Sequence, residues 1–366
     1  MQDCKNSSTK QIVMLQAFCN NERGWAKVMS RLGRVSLVRL GGYKFMEQLE
    51  VWDGGECVAV SQPRSVPYSA FLDEWTFGFL AFMITFKYAW PVIKSKRTDV
   101  IIACANSMAL AALFLRWFGR TRKVVCLVSD YFPAHGKLHV RIYRRISGLI
   151  TSSLCRLADE AWTLSPRITT VKANACNFLL PLYINNECVS PGLRDEIMYI
   201  GIPSPDHALE ILFDISRRYG VRVNIVGESP YLQSIKHLAP ADAVFHGFIS
   251  DPVRIKDICS RCFCGYAVYR NVGPQNYSYY GIPSKTLNYL ASNTPVITTN
   301  VADFSQYFEK FGIGRIVKPE TEDIERAVLE LKNRQRDYYE AINRFRDSWN
   351  AGVEKFHHDR LELLLR

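Results

Sequence analysis

The chain has 366 residues, 48% hydrophobic and 22% charged, and its 46 Lys and Arg outnumber 35 Asp and Glu for a formal charge of +11. That length accommodates two domains of ordinary size with a buried core in each, and the balance excludes a disordered or low-complexity chain. The eleven cysteines are scattered and odd in number, and Cys104, Cys126 and Cys155 sit inside apolar runs, which excludes a disulfide scaffold and predicts a reducing cytosol.

The opening MQDCKNSSTK is polar and carries no signal-peptide pattern. The apolar run 11–18 predicts a buried strand, followed by a helix over 24–33 and strands over 35–40 and 57–60. Residues 76–92 are strongly apolar and aromatic but fall short of the roughly 20 needed to span a bilayer, and they include Lys87 and Pro91. A buried or interfacial helix is expected there. Strands over 99–103, 124–128 and 161–164 then alternate with helices over 108–118 and 139–157, a pattern that predicts a parallel sheet covered on both faces. Between Arg116 and Arg156 stand nine Lys or Arg and one acid, Asp130, which predicts attraction to a polyanion.

The turn-rich stretch 185–194 is the expected interdomain linker. Beyond it the alternation resumes: strands at 197–200, 221–226, 244–248, 264–268 and 295–299, with helices at 207–219, 253–261, 283–291, 322–331 and from 334 onward. The expected division is 1–188 as an N-terminal domain and 189–335 as a C-terminal domain. Helices over 336–366 are expected to cross back to the first domain. In doubly wound sheets the ligand lies at the carboxyl ends of the strands.

The densest chemistry lies between Tyr269 and Thr299. A strand ends at Tyr269, a polar loop rich in Gly and Tyr follows, and a helix opens with Gly281-Ile-Pro-Ser-Lys285. The first turn of a helix presents unpaired N–H groups and a partial positive charge, which suits a phosphate. Lys285 adds a full charge, and Asn288 lies one turn on along the same face, within reach of a ribose hydroxyl. The bland alternative is a capped helix with a solvated lysine.

This run resembles the nucleotide-sugar site of GT-B glycosyltransferases, in which a helix of the form P-x-K-x-x-(E/Q)-Y-x-A-x-x-x-P-V-I holds the diphosphate and ribose. Here the pattern is Pro283, Lys285, Asn288, Tyr289, Ala291, Pro295, Val296 and Ile297. A glycine ends the first C-domain strand (Gly201), Ile225-Val-Gly227-Glu-Ser-Pro230 resembles the family's VIGxGP turn, and Gly265–Tyr269 resembles G-I-A-P-Y. The resemblance implies two Rossmann-like α/β domains, each a doubly wound parallel sheet, facing across a cleft. It also implies donor binding by Pro283, Ser284, Lys285, Thr286, Asn288, Tyr269, Gly201 and Gly227.

The pair of glutamates eight positions apart usual in retaining members is replaced by Tyr280 and Asn288, and Gly201-Ile-Pro-Ser-Pro-Asp206 lacks the usual Arg and Lys donor pair. The pattern is closer to inverting, xanthan-type exopolysaccharide glucuronosyltransferases and related lipopolysaccharide and capsule enzymes. By that resemblance Asp130, at the end of the strand before Tyr-Phe-Pro, is the catalytic base that takes the acceptor's proton. A turn-capping aspartate is the plain alternative. Likewise Ala161-Trp-Thr-Leu-Ser165 matches a strand end that lines the cleft in such enzymes.

Arg141, Arg144, Arg145 and His135 are expected on the acceptor and membrane side. Cys259, Cys262 and Cys264 have no second pair at zinc spacing and are read as packing, and His357-His358 as a solvated pair on a polar helix. With no DxD-type acidic pair, neither metal nor cofactor is expected, the nucleotide sugar being a substrate. The function expected is transfer from a nucleotide sugar, UDP-linked, to a lipid-linked saccharide at the inner face of an anionic membrane. The rival readings are a 2-epimerase-like enzyme, a non-catalytic nucleotide-sugar-binding protein, and a nucleic-acid binder that would leave 269–299 unexplained.

Overall fold

The computed structural model describes residues 10–17, 22–41, 46–62, 64–65, 97–104, 106–128, 138–163, 165, 167–168, 175–177, 194–249, 251–276, 279–281, 283–301 and 304–366, with 83, 86–87, 90 and 93–94. The chain divides into two compact units, Met1–Pro181 with Ala351–Arg366, and Leu182–Asn350. Each contains its own largely parallel sheet.

In the first unit the strands β1 (Gln11–Ala17), β2 (Arg34–Gly41), β6 (Thr98–Cys104), β7 (Thr121–Val128), β8 (Glu160–Thr163) and β9 (Ala175–Asn177) run parallel in the order β2-β1-β6-β7-β8-β9. The interior of β6 reads Val-Ile-Ile-Ala-Cys and is buried throughout, as a strand covered on both faces must be. The helices α1 (Glu22–Met29) and α2 (Asn106–Trp117) cover it with stripes that include Trp25 and Met29, and Met108, Ala112 and Leu115. Helix α3 (Leu138–Leu157) is different: only Leu154 and Cys155 of its 20 residues are buried.

The edge of this sheet departs from the parallel pairing expected. Strands β3 (Met46–Asp53) and β4 (Glu56–Val60) form an antiparallel hairpin on β2, and the short β5 (Arg64–Ser65) pairs with β3. The physical cause is the turn Asp53-Gly54-Gly55-Glu56, whose glycines take φ of +58° and +90°, the conformation of a two-residue hairpin. Being an edge, β4 is exposed along its whole length. Most of the apolar segment 76–92 and the expected linker 185–194, apart from Arg194, lie outside the described residues.

In the second unit β10 (Glu196–Ile200), β11 (Arg222–Val226), β12 (Val244–Gly247), β13 (Cys262–Ala267), β14 (Val296–Thr298) and β15 (Gly314–Ile316) are parallel in the order β12-β11-β10-β13-β14-β15. The helices α4 (Leu209–Tyr219), α5 (Pro230–Ile235), α6 (Pro252–Ser260), α7 (Ser284–Ala291), α8 (Ser305–Phe311) and α9 (Thr321–Asn333) fill the connections. The core joins Tyr199 and Ile225 of the sheet to Phe213 of α4 and Ile324 of α9. Cys259, Cys262 and Cys264 are buried within this packing, where desolvation pushes all three thiols up from their ordinary pKa.

The N-terminal ends of these strands are tied by a buried arginine. Arg194 donates to the carbonyls of Cys262 and Asn293 at 3.2 and 3.1 Å and lies over the Tyr339 ring, 4.7 Å from its centre. Its backbone exchanges hydrogen bonds with the Gln335 side chain at the start of the last helix, α10 (Gln335–Leu365). Residues of α10 from Ala351 onward belong to the first unit. There Trp162 of β8 meets Phe356 and His357 edge-on at 5.4 and 5.8 Å. Trp162 is therefore core rather than a cleft lining, and His357, expected to be solvated, is wholly buried and kept neutral by a pKa pushed down to about 3 through desolvation. The apolar face of a long helix outweighs the local polarity of its sequence; only His358 of that pair faces water.

One glycine position tests the second sheet. A Cβ on Gly265 of β13 would stand 2.2 Å from the Tyr289 ring of α7, closer than atoms can approach. Gly265→Ala must push α7 off the sheet, and denaturant unfolding should show a loss of about 1–3 kcal/mol, the range for overpacked cores. An unchanged midpoint would mean that α7 packs less tightly than described.

Candidate functional site

Three adjacent strands of the second unit end in glycines with left-handed φ: Gly201 after β10 (+125°), Gly227 after β11 (+127°) and Gly247 at the end of β12 (+66°). Gly201 N–H donates to the Val226 carbonyl and Gly227 N–H to that of Gly247, at 3.0 and 2.8 Å. A Cβ on Gly227 would fall 1.9 Å from the Gly201 carbonyl oxygen, so the two turns lie backbone on backbone. These glycines add no side chain of their own to the carboxyl edge of the sheet.

Helix α7 begins at this edge. Pro283 (φ −60°, ψ 120°) is the residue before the first helical one rather than the first, and the Thr286 N–H returns to its carbonyl at 2.9 Å. The helix is anchored by Tyr289, whose hydroxyl accepts the Ile200 N–H at 2.8 Å and donates to the Tyr266 carbonyl at 3.2 Å. One phenol thus spans the ends of β10 and β13 and sets the height of the helix start above them.

From that start Lys285 turns back over the sheet edge, contrary to the solvated lysine of the bland alternative. It is 8% exposed, with its ammonium 4.4 Å from the centre of the Tyr199 ring and 5.0 Å from that of Tyr269, and 3.4 Å from the Tyr199 hydroxyl. Gly201 is the neighbouring backbone: a Cβ there would sit 3.5 Å from Lys285 Cε. Burial pushes the Lys285 pKa down to about 7, opposed by the Asp206 carboxylate. The ammonium is held by two aromatic faces and, among the described residues, by no salt bridge to a carboxylate.

His207 completes the wall. Its Nδ1 lies 2.8 Å from the Tyr199 hydroxyl and accepts the Ser204 N–H at 3.2 Å, and its ring meets Tyr269 edge-on at 5.1 Å. Burial, and secondarily Lys285, push its pKa down to about 3, so the ring is neutral and Lys285 is the local cation. Asp206 joins the loop after β10 to the loop after β13. Its carboxylate accepts from the Asn271 N–H, the Asn271 amide and the Asn276 amide at 3.0, 3.0 and 2.9 Å, and its carbonyl accepts the Arg270 N–H at 2.7 Å. Arg270 in turn pairs with Glu210, which accepts from Tyr231.

The structure therefore brings together Gly201, Gly227, Tyr269, Pro283, Ser284, Lys285, Thr286 and Asn288. Ser284 is exposed at the helix start, Asn288 is half-buried one turn along, and the Thr286 hydroxyl is buried without a partner among the described residues. Arg141, Arg144 and Arg145 belong to α3 of the first unit, while Asp130 and His135 lie outside the described residues. Sequence reading missed Tyr199, Asp206 and His207. The signal for Asp206 and His207 was the Ser204-Pro-Asp-His207 turn shortly after Gly201, read only as the opening of a helix, while Tyr199 lay unmarked inside an apolar strand.

No family model and no curated protein matches the sequence. The fold does match solved structures. Sucrose-phosphate synthase from Thermosynechococcus elongatus is similar with a TM-score of 0.67 at 11% identity, covering 97% of this chain and 100% of that one. The catalytic domain of starch synthase IV from Arabidopsis thaliana, bound to ADP and acarbose, gives 0.66 at 9% identity over 98% and 100%. HepE from Anabaena, in complex with UDP and glucose, gives 0.61 at 11% over 96% and 99%. These neighbours are GT-B glycosyltransferases, and this chain shares their fold of two parallel-sheet α/β domains.

Proposed function

We propose that the protein is a glycosyltransferase that moves a sugar from a nucleotide-sugar donor, UDP-linked, to a lipid-linked saccharide in polysaccharide or glycan assembly. The observation that carries this reading is the buried Lys285 ammonium, set between two tyrosine faces beside the first turn of α7 and above glycine-ended strands. A cation held without a salt bridge, next to free helix amides, suits a diphosphate. That solved neighbours of the same fold are described with UDP, with ADP and with a UDP sugar supports the donor class.

In this reading Lys285 and the amides of Ser284 and Lys285 hold the diphosphate, Asn288 the ribose, and Tyr269 the wall of the donor pocket, with Gly201 and Gly227 giving backbone access. The acceptor hydroxyl oxygen attacks the anomeric carbon as the bond from that carbon to the diphosphate oxygen breaks, and the electron pair leaves with the diphosphate. Asp130 takes the acceptor's proton, which gives inversion, as in the exopolysaccharide glucuronosyltransferase pattern. Lys285 stabilises the leaving charge, so the proposal needs no metal ion or cofactor.

The experiment is transfer of radiolabel from UDP sugars to a membrane lipid fraction. Asp130→Asn should lower turnover by about 10²-fold or more with little change in donor binding, since general-base losses fall in kcat. Lys285→Ala should weaken donor binding. Full activity of both variants would overturn the site; donor consumption without acceptor would favour an epimerase, and binding without turnover a non-catalytic protein.

The pH dependence has a definite sign. The free protein carries the Lys285 proton only below about 7, so above that pH the donor must bring a proton in as it binds. Affinity for a UDP sugar, whose diphosphate does not titrate there, should fall about fivefold from pH 7 to 8 in the wild type and stay flat in Lys285→Met. The unfolded chain keeps that proton to about 10.5, so burial costs stability below pH 7 and the cost fades as the pH rises toward 10.5. Lys285→Met should accordingly melt higher than wild type at pH 6; an equal or lower midpoint would mean that Lys285 is not buried as a cation.

A further inference from the structure

The outer face of α2 and α3 is apolar where two water-facing helices should be polar. Of the eighteen large hydrophobic side chains exposed among the described residues, nine lie on these helices or in the turn that follows α2. At the end of α2, Trp117 is 81% exposed and Phe118 59%, and the Phe114 ring touches both, at 5.9 and 5.5 Å. The two helices lie alongside with their C-terminal ends together: Arg116 donates to the Leu157 carbonyl at 2.6 Å, and Asn106 near the start of α2 accepts from Thr151 of α3 at 2.8 Å. Leu157, at that shared end, is exposed as well.

Along α3 the exposed positions Leu138, Ile142, Arg145 and Leu149 are spaced by four, three and four residues and so form one stripe, with Arg141 beside it. The apolar side chains of this helix thus point outward, and its burial against the sheet rests on Leu154 and Cys155. Arg141, Arg145 and Arg156 are exposed and, among the described residues, pair with no carboxylate. Arg116 and Lys123, by contrast, share an ion pair with Asp159.

We propose that this face docks on an anionic lipid bilayer, with Trp117, Phe118 and Leu157 seated among headgroups and Arg141, Arg145 and Arg156 on lipid phosphates. Bulky apolar and aromatic side chains interleaved with unpaired arginines match the boundary of a negatively charged leaflet, which is apolar beneath and anionic above. A second copy of the chain fits less well, because a twofold contact would set these arginines against their own counterparts. Duplex nucleic acid would satisfy the arginines but leave Leu138, Ile142 and Leu149 against water. The inference does not rest on the transferase reading, and its test reads binding rather than catalysis.

The full chain is floated with phosphatidylcholine vesicles and with vesicles in which about three lipids in ten are phosphatidylglycerol, a composition that sets up a negative surface potential. Wild type should bind the anionic vesicles at least about tenfold more tightly than the neutral ones, and less so as salt rises. Trp117→Ser with Phe118→Ser, and separately Arg141→Glu with Arg145→Glu, should each weaken that binding about tenfold or more with the thermal midpoint retained, the side chains being exposed. Val253→Ser, an equally exposed site in the second unit, should change nothing. Lack of preference for anionic vesicles would overturn the proposal, as would variants that bind like wild type. A dimer dissociated by the Trp117 and Phe118 changes, or tighter binding to duplex DNA than to the vesicles, would overturn it equally.

Discussion

A lysine ammonium enclosed by aromatic rings is costly to keep, and the arrangement of the second unit follows from how that cost is met. Taking the charge of Lys285 out of water destabilises it, and the protein answers with two tyrosine faces, one hydroxyl and the field of Asp206 rather than with a direct ion pair. A carboxylate salt-bridged to Lys285 would stabilise the fold and cancel the positive field. On the reading proposed here, leaving the charge without a direct ion pair keeps it available to the donor's diphosphate, a trade of stability for function of the kind active sites often show.

The rest of the unit positions this one group. Tyr289 fixes the height of α7 by bonding to two strands at once, and Gly265 leaves room for its ring. Left-handed glycines end β10, β11 and β12, and the one after β10 leaves room for the Lys285 side chain. Asp206 fastens the loop after β13 to the loop after β10, so that Tyr269 and Tyr199 stand on either side of the ammonium. At the other end of the strands Arg194 ties β13, the turn after α7 and α10 together.

Much of this was legible from residues alone, for stated reasons. The parallel sheet of the second unit shows in short apolar runs separated by helical patterns, and the start of α7 in Pro283 before an amphipathic stretch. Less legible were features that depend on contacts distant in sequence. The burial of Lys285 requires Tyr199, 86 residues away, and the burial of His357 requires Trp162 on a strand far upstream. The antiparallel edge of the first sheet was signalled by Asp53-Gly54-Gly55, but β3 reads Met-Glu-Gln-Leu-Glu-Val-Trp-Asp, too polar to stand out as a strand. His207 looked like the opening of a helix because a Ser-Pro-Asp turn does open helices; its neutral ring becomes part of the site only once β10 delivers Tyr199 beside it.

On the proposed reading, Lys285 is a poorly solvated amine that takes up a proton when the donor's diphosphate binds. Calorimetric titration of the protein with a UDP sugar at pH 8, in two buffers of different ionisation enthalpy, counts the protons taken up on binding. Uptake of close to one proton is expected for the wild type, since the free amine is about nine-tenths neutral one unit above its pKa, and none for Lys285→Met. Binding with no proton uptake by the wild type would contradict it.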